Sequence, residues 1–405
     1  MSLWLHRDFR LLWAGDTVSQ FGSTIGQTVL PLLAAGALAA TPWQMGLLTA
    51  ANSAAFLLIG LPAGVWVDRM RRRPVMLAAD AVRAALMLSI PLAWWLGTLT
   101  FAHLVVVALL VGAATVLFDV AYQSYLPALV GRDQLVEGNS KLTASHSVAH
   151  VSGPAAAGGV AQAVGAANGV LATGLGYLWS ALFLLRIRAV EPESPAAADR
   201  PGLRSEIAEG LRFVFADRSL RAIVCTTGTA NFFDAVGTAV MVLFLSRALG
   251  LSDGVIGLLF SAAGVGGVLG ALTASRWNRR FGLRAVWLSL LVTQPFGLLL
   301  PFAGADWRLA LVVVADLALA YGATVYNIVQ VSYRQAICPD HLLGRMNASV
   351  RFVVWGALPL GGLVGGLLGE QVGIMTALWV AMVGRVLAAG WVLCSPLRRR
   401  DAVPA

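Results

Sequence analysis

Four side chains of this chain are placed to carry protons: Asp234, Asp316, His146 and His150. Asp234 lies roughly 20 Å along the apolar stretch 221–248 at ~1.5 Å per helical residue, near mid-membrane. An ionisable group at that depth marks a functional site by default, with proton relay its common use. The competing reading is a structural ion pair, with Arg351 or Arg385 as partner. Asp316, on 308–335, is the second carboxylate candidate. Arg385 lies deep in the final stretch and requires an acidic partner that the sequence does not name; Arg351 stands in a similar position. His146 and His150 are one turn apart, on the face that continues to Gly153 and Ala157. Imidazoles titrate near neutral pH, so the two are possible carriers. A packed, hydrogen-bonded histidine pair is the alternative.

Other chemistry is excluded. His146-Ser-Val-Ala-His150 lacks the glutamate of HExxH, so a zinc protease is rejected. Cys225, Cys338 and Cys394 are far apart with no CxxC spacing, which argues against a metal site or a disulfide framework. No GxxxxGK[ST] loop is present, so ATP does not drive the protein. No constellation supports an enzyme, and no cofactor is implied.

Polar stripes extend the site. Asp16, Gln20, Ser23 and Gln27 recur at helical spacing and share one face. Shifted by 211 residues, the same positions hold Thr227, Asn231, Asp234 and Thr238. The same shift carries Thr115, Asp119 and Tyr122 onto Tyr326, Gln330 and Tyr333. Asp316, Asn327 and Gln330 fall on one face of their stretch. Polar residues on apolar helices face protein or a watery path, not lipid. Helix–helix hydrogen bonding is the alternative use of each.

The elements that must hold these residues are transmembrane helices. The 405-residue chain is 58% hydrophobic and 12% charged, about half the charged share of a soluble protein. Its apolar runs have helical rather than barrel-strand length. Twelve spans are expected, near 11–38, 43–66, 75–97, 101–128, 138–164 and 167–186, then 221–248, 254–275, 284–303, 308–335, 345–369 and 373–395. The net charge of +9 does not point to nucleic acid, because the arginines fall in alternate loops. That asymmetry puts both termini in the cytoplasm. Met1–Arg10 is short and polar, so the first run is expected to be a retained span rather than a signal peptide. Lys141 is the only lysine, and this arginine preference with abundant Ala and Gly suggests a GC-rich bacterial genome.

The chain is a pseudo-repeat. Gly46 through Leu77 lies without a gap over Gly257 through Leu288, matching Leu61 with Leu272 and Trp66 with Trp277. Paired bundles are the plan of secondary transporters. The expected division is a six-helix bundle over 1–188, a cytoplasmic linker over 189–218 and a second bundle over 219–405. Within the linker, Leu203, Ile207, Leu211 and Val214 recur at helical spacing, as in an amphipathic helix on the inner surface.

The segment from Gly60 through Gly64, Asp68 and Arg69 to Arg73 resembles the loop 2–3 motif of the major facilitator superfamily. Its echo is Ser275-Arg276 to Arg279-Arg280. Tyr125 to Ser140 resembles the loop 4–5 signature of the branch containing enterobactin-type siderophore exporters and macrolide efflux proteins. Gly153-Pro154 with Gly158-Gly159 is similar to the antiporter motif of span five, with Ala157 at one usual glycine position. Arg334-Gln335, Pro339-Asp340 and Gly344-Arg345 match the same branch after span ten. Arg71 departs from the motif's usual glycine, and Arg279 replaces the acid that Asp68 supplies in the first copy.

The resemblance implies an all-α integral membrane fold of twelve helices in two six-helix bundles. It implies a central cavity lined by spans one, four, seven and ten. It further implies a gate in which Asp68 meets the N-terminus of span eleven and a motif arginine pairs with an acid on span four, here Asp119. Anions at helix N-termini are favoured by roughly 0.3–1 kcal/mol. Gly153-Pro154 is expected to disrupt helix five, with Gly158, Gly159 and Gly165 giving a smooth packing surface. The function expected is export of a small amphipathic compound (drug, macrolide or siderophore) from a bacterial cytoplasm by proton antiport. Proton-coupled uptake of a nutrient is the alternative, and a non-transporting receptor a third. The expected partners are the cargo, protons and membrane lipid, with the protein a monomer in the inner membrane.

Overall fold

A computed structural model describes residues 3–68, 70–131, 134–188, 203–339 and 342–398. The linker expectation over 189–202 lies outside the described residues. Among those described, the regular structure is helical throughout. The first six long helices are α1 (Arg7–Gly36), α2 (Pro42–Asp68), α3 (Arg72–Trp95), α4 (Phe101–Val130), α5 (Leu135–Val164) and α6 (Ala166–Arg186). A shorter helix, α7 (Leu203–Ala216), leads to α8 (Arg218–Leu243), α9 (Asp253–Phe281), α10 (Ala285–Thr293), α11 (Leu309–Ile337), α12 (Leu343–Gln371), α13 (Ile374–Ala388) and the single turn α14 (Gly390–Leu393). Eight helical segments among the described residues are long and apolar enough to cross a membrane, one running from Asp253 to Phe302 through α9 and α10. Helices α1 and α5 are as long, at 30 residues each, but are diluted by their polar stripes.

Local chemistry sets the helix ends. Thr41 and Gln44 exchange a capping-box pair of hydrogen bonds before α2, with Pro42 at the first helical position. Asp217 caps α8 by accepting from the amides of Ser219 and Leu220 at 2.8 Å each. Two spans are less regular than the sequence suggests. The expected span 284–303 is α-helical only to Thr293, then tightens to a 3₁₀ segment over Gln294–Phe302. Pro295 and Pro301 lack the amide hydrogens that an α-helix needs there. Helix α8 widens into a π-turn over Phe244–Ala248. Conversely, α5 runs unbroken through Gly153-Pro154, so the expected disruption is absent.

The described chain forms two compact units. Unit 1 comprises Met1–Ala40, Ala54–Arg200 and Ser252–Leu258; unit 2 comprises Thr41–Ser53, Pro201–Leu251 and Leu259–Ala405. The first turns of α2 thus cluster with unit 2 and the first turns of α9 with unit 1. Each of these short segments is held by a close helix crossing. In unit 1, a Cβ on Gly257 would stand 2.3 Å from the Pro154 carbonyl, and one on Gly158 would stand 2.4 Å from the Asp253 carbonyl. In unit 2, a Cβ on Gly46 would stand 2.5 Å from the Gly362 carbonyl and 2.6 Å from Gly366 Cα. Caps repeat in the same register. Gln162 Oε1 accepts from the Gly254 amide at 3.1 Å, and Glu370 Oε2 accepts from the Trp43 amide at 3.2 Å. Gly165 and Gly373 turn the chain after these residues at φ values of +84° and +95°. Gly46 with Gly257 and Trp43 with Gly254 follow the 211-residue shift, whereas Gln162 with Glu370 and Gly165 with Gly373 follow a 208-residue shift, so the second copy loses three residues by this point. Gly159 faces open space and Gly165 ends its helix, so neither belongs to the packing surface expected of them.

The core of unit 1 gathers Phe9, Met76, Phe118 and Tyr125. In unit 2, α7 packs rather than floats: Val214 joins Leu220, Val224, Met346 and Val350 in one cluster. Gly210 lies against the Arg345 carbonyl, and Glu209 pairs with Arg345. The amphipathic helix expected on the membrane surface therefore spends apolar surface on α12 and α8. Large exposed side chains such as Leu58, Leu182, Leu272 and Leu387 suit a lipid-facing exterior.

Candidate functional site

Unit 1 holds a buried acid facing a titratable base. Asp16 on α1 accepts from His146 Nε2 on α5 at 2.8 Å, with Asp16 3% exposed and His146 32%. Small residues let these helices meet. A Cβ on Gly153 would stand 2.6 Å from the Thr24 side chain, which sets the α1–α5 distance. Tyr122 and Asp119, from α4, lie within electrostatic reach of the pair. His150 is a turn further along α5, exposed, and feels the charge of His146. The rest of the stripe bonds locally: Gln27 Nε2 meets Ser23 Oγ at 3.5 Å, and the Gln20 carbonyl accepts from Thr24 Oγ1 at 2.9 Å.

Behind this pair is a second one that sequence reasoning passed over. Asp80 and Arg83, both on α3, form an ion pair with exposures of 0% and 4%. Ring faces sandwich the guanidinium, Phe118 at 4.2 Å and Tyr177 at 4.3 Å from their centroids, and Thr115 Oγ1 is 3.5 Å away. Ser180 of α6 lies beside Asp80. The spacing i,i+3 inside span three was the available signal.

Unit 2 holds two acids around one arginine. Asp234 on α8 is paired with Arg385 on α13. Arg385 Nε also donates to Gln294 Oε1 at 3.3 Å, at the point where α10 becomes 3₁₀. Asp316 on α11 lies within electrostatic reach of both Arg385 and Asp234. Glycine again permits the approach: a Cβ on Gly384 would stand 2.2 Å from the Phe233 ring. Asp234 remains 48% exposed and Arg385 14%. Of the two arginines weighed as partners, Arg385 makes the pair; Arg351 is exposed and lies over Trp355 at 5.2 Å. The neighbouring stripe residues bond within their own helix or to an adjacent one. Thr227 bonds the Tyr326 hydroxyl at 2.7 Å, Asn231 Nδ2 donates to the Val354 carbonyl at 3.0 Å, and Gln330 Nε2 donates to Asn327 Oδ1 at 2.8 Å. Thr238 donates to the Asp234 carbonyl at 2.9 Å.

Residues 3–404 match the family described as transmembrane secretion effectors, within the major facilitator superfamily. The chain belongs to that family. This secretion effector is 28% identical over 338 residues to the multidrug efflux pump Tap of Mycolicibacterium fortuitum, spanning 80% of each chain. It is 27% identical over 328 residues to the enterobactin exporter EntS of Escherichia coli, spanning 79% of this chain and 77% of the relative. The solved nucleoside transporter NupG shares the fold at a TM-score of 0.78 and 13% identity, over 95% of this chain and 98% of that one. The secretion effector is thus a multi-pass membrane transporter of the efflux type and not an enzyme.

Its loop 2–3 motif is only partly visible. Arg69, the surroundings of Gly64 and the side chain of Asp68 lie outside the described residues, so the gate expected of them is not described. Gly60 faces open space. Arg73 donates to the carbonyls of Leu184 and Leu185 at 2.9 Å each, a cationic cap on the C-terminal end of α6. Of the span-five group in the effector, Gly153, Pro154 and Gly158 are buried in helix contacts and Gly159 is exposed.

Proposed function

We propose that this secretion effector exports a small amphipathic compound, of the drug, macrolide or siderophore class, by proton antiport. It works as a monomer in the lipid of a bacterial cytoplasmic membrane, with both termini inside. The observation that carries the reading is the cluster of Asp234, Asp316 and Arg385. Two carboxylates around one guanidinium leave a net negative charge inside a span, and one proton cancels it. With Asp234 held by Arg385, the proton goes to Asp316. When Asp316 gives up that proton it competes for Arg385, which loosens Asp234. Asp234, already 48% exposed, then changes partner as cargo arrives or leaves. An equilibrium of this kind couples cargo to protons because each ligand favours a different pairing. Asp16 and His146 form a second titratable pair in unit 1, and the efflux relatives support the outward direction.

The test uses everted vesicles energised acid-inside, with a pH-gradient dye. Macrolides, lipophilic drugs and siderophores are added in turn. Proton release on adding one compound, lost in both Asp316→Asn and Asp234→Asn, is expected. Accumulation of a compound with no movement of the gradient refutes proton coupling. Proton release in Asp316→Asn at the rate of the unaltered protein refutes the assigned role of that acid.

A further inference from the structure

Arg334 has no role in the cluster above, yet it is a buried cation with no ion pair among the described residues. It lies in the last turn of α11, 8% exposed. Among the described residues it makes no ion pair, and its buried Nε finds no acceptor. The end of α11 offers a favourable dipole, which falls well short of a counter-ion. A guanidinium stays charged and presents its donors in a planar fork, so burial demands an anion. One and two turns earlier on the same face stand Gln330 and Tyr326, 3% and 5% exposed. Gln330 spends its amide hydrogens on Asn327 while its own carbonyl oxygen is buried without a donor. Tyr326 lies within electrostatic reach of Arg334. The face therefore offers an unanswered cationic fork and, one turn away, an unanswered acceptor.

We propose that Arg334 and Gln330 form a recognition site for an oxyanion of the cargo, a carboxylate or phosphate carried by an otherwise apolar molecule. Arg334 takes the anionic oxygens through its fork, and Gln330 accepts from a hydroxyl or N–H of the same molecule. This rests on the reading of the chain as a small-molecule exporter and narrows its cargo to amphipathic anions. A lipid headgroup could supply the same oxyanion, so the experiment separates the two sources.

Equilibrium binding of 2-naphthoate and of its neutral analogue 2-naphthamide is measured on the full chain in phosphatidylcholine nanodiscs. The measurement involves neither transport nor protons, so failure of antiport leaves it intact. The expected result is a clear preference for naphthoate, with its affinity roughly tenfold or more lower in Arg334→Gln, as for loss of a charge-assisted hydrogen bond, and naphthamide unchanged. Arg334→Lys keeps the charge, folds where Gln does not, and is expected to lose affinity severalfold because the fork is gone. Naphthoate affinity unchanged in either variant overturns the site. Phosphatidylglycerol nanodiscs provide the second arm. If that lipid abolishes naphthoate binding, and mass spectrometry finds one retained lipid that Arg334→Gln loses, the cargo assignment is overturned in favour of a headgroup.

Discussion

The pair of Asp80 and Arg83 gives the sharpest energetic prediction. Both side chains are buried, at 0% and 4% exposure, and the guanidinium is stacked between Phe118 and Tyr177. Asp80→Asn leaves that guanidinium charged, because arginine does not deprotonate in proteins. Breaking one side of a buried pair costs about 3–5 kcal/mol. The ring stacking survives the substitution and, at about 0.5–2 kcal/mol per contact, does not replace the lost carboxylate. At about 2 °C per kcal/mol for a large domain, the apparent melting temperature falls by roughly 6–10 °C. The double substitution Asp80→Leu with Arg83→Met removes both charges together. An apolar replacement of a buried pair is often neutral or stabilising by about 1–4 kcal/mol, so the double variant recovers most of the loss. Temperature-ramped size-exclusion chromatography of detergent-solubilised fluorescent fusions reads the four corners of the cycle: the unaltered protein, Asp80→Leu, Arg83→Met and the double variant. A double variant as unstable as the sum of its single changes refutes the reasoning, since independent sites add and coupled ones do not.

Three further outcomes are expected. Adjacent glycines on α5 should respond with opposite signs: Gly158→Ala forces a Cβ to 2.4 Å from the Asp253 carbonyl and destabilises by about 1–3 kcal/mol, whereas Gly159→Ala meets nothing and stabilises by about 0.5–1 kcal/mol, both read as melting shifts. Gln294→Leu removes the acceptor of Arg385 Nε while sparing the pair with Asp234, so cargo-driven proton release in everted vesicles should slow without vanishing; an unchanged rate removes Gln294 from the cluster. Glu137 accepts from Lys141 at 2.8 Å and from the Leu3 amide at 3.3 Å, and the Lys141 hydrogen bond holds its carboxyl below the usual range. A depressed carboxylate stabilises above its unfolded pKa and loses that contribution as pH falls through the folded value. Amide exchange at Leu3 should therefore accelerate, after correction for intrinsic rates, only below the ordinary carboxylate range, and should be pH-independent over that range in Glu137→Gln.

The spans were legible because lipid leaves the backbone few choices. The expected 11–38 is α1 at Arg7–Gly36, and the expected 308–335 is α11 at Leu309–Ile337. What escaped was local or tertiary. Pro154 sits in a continuous helix while Pro295 and Pro301 accompany a 3₁₀ segment, so proline alone does not say which will happen. Asp80 and Arg83 do not stand out in the stripes shared by the two copies, because their counterparts, Leu291 and Gln294, carry no charge. Asp234 stood out as an acid, but its partner depended on how closely α13 approaches α8. That approach is set by Gly384 against Phe233, a contact 151 residues apart in sequence that no periodicity encodes.

The two copies share their helical plan and differ in their electrostatics. Unit 1 pairs Asp16 with an imidazole, a base of the kind that switches charge near neutral pH. Unit 2 neutralises Asp234 with a guanidinium, a base that does not. By the 211-residue shift Asp16 corresponds to Thr227 and Asp234 to Ser23, so neither acid descends on its counterpart's position. Likewise Asp119 corresponds to Gln330, and Arg83 to Gln294. Each replacement swaps a charge for a neutral polar group, which preserves a polar stripe while moving the titratable atoms. A fixed cation with two acids binds a proton at an acid; a titratable base with an acid binds it at the base. On the antiport reading proposed above, proton uptake takes different routes in the two units, even though one repeat built both.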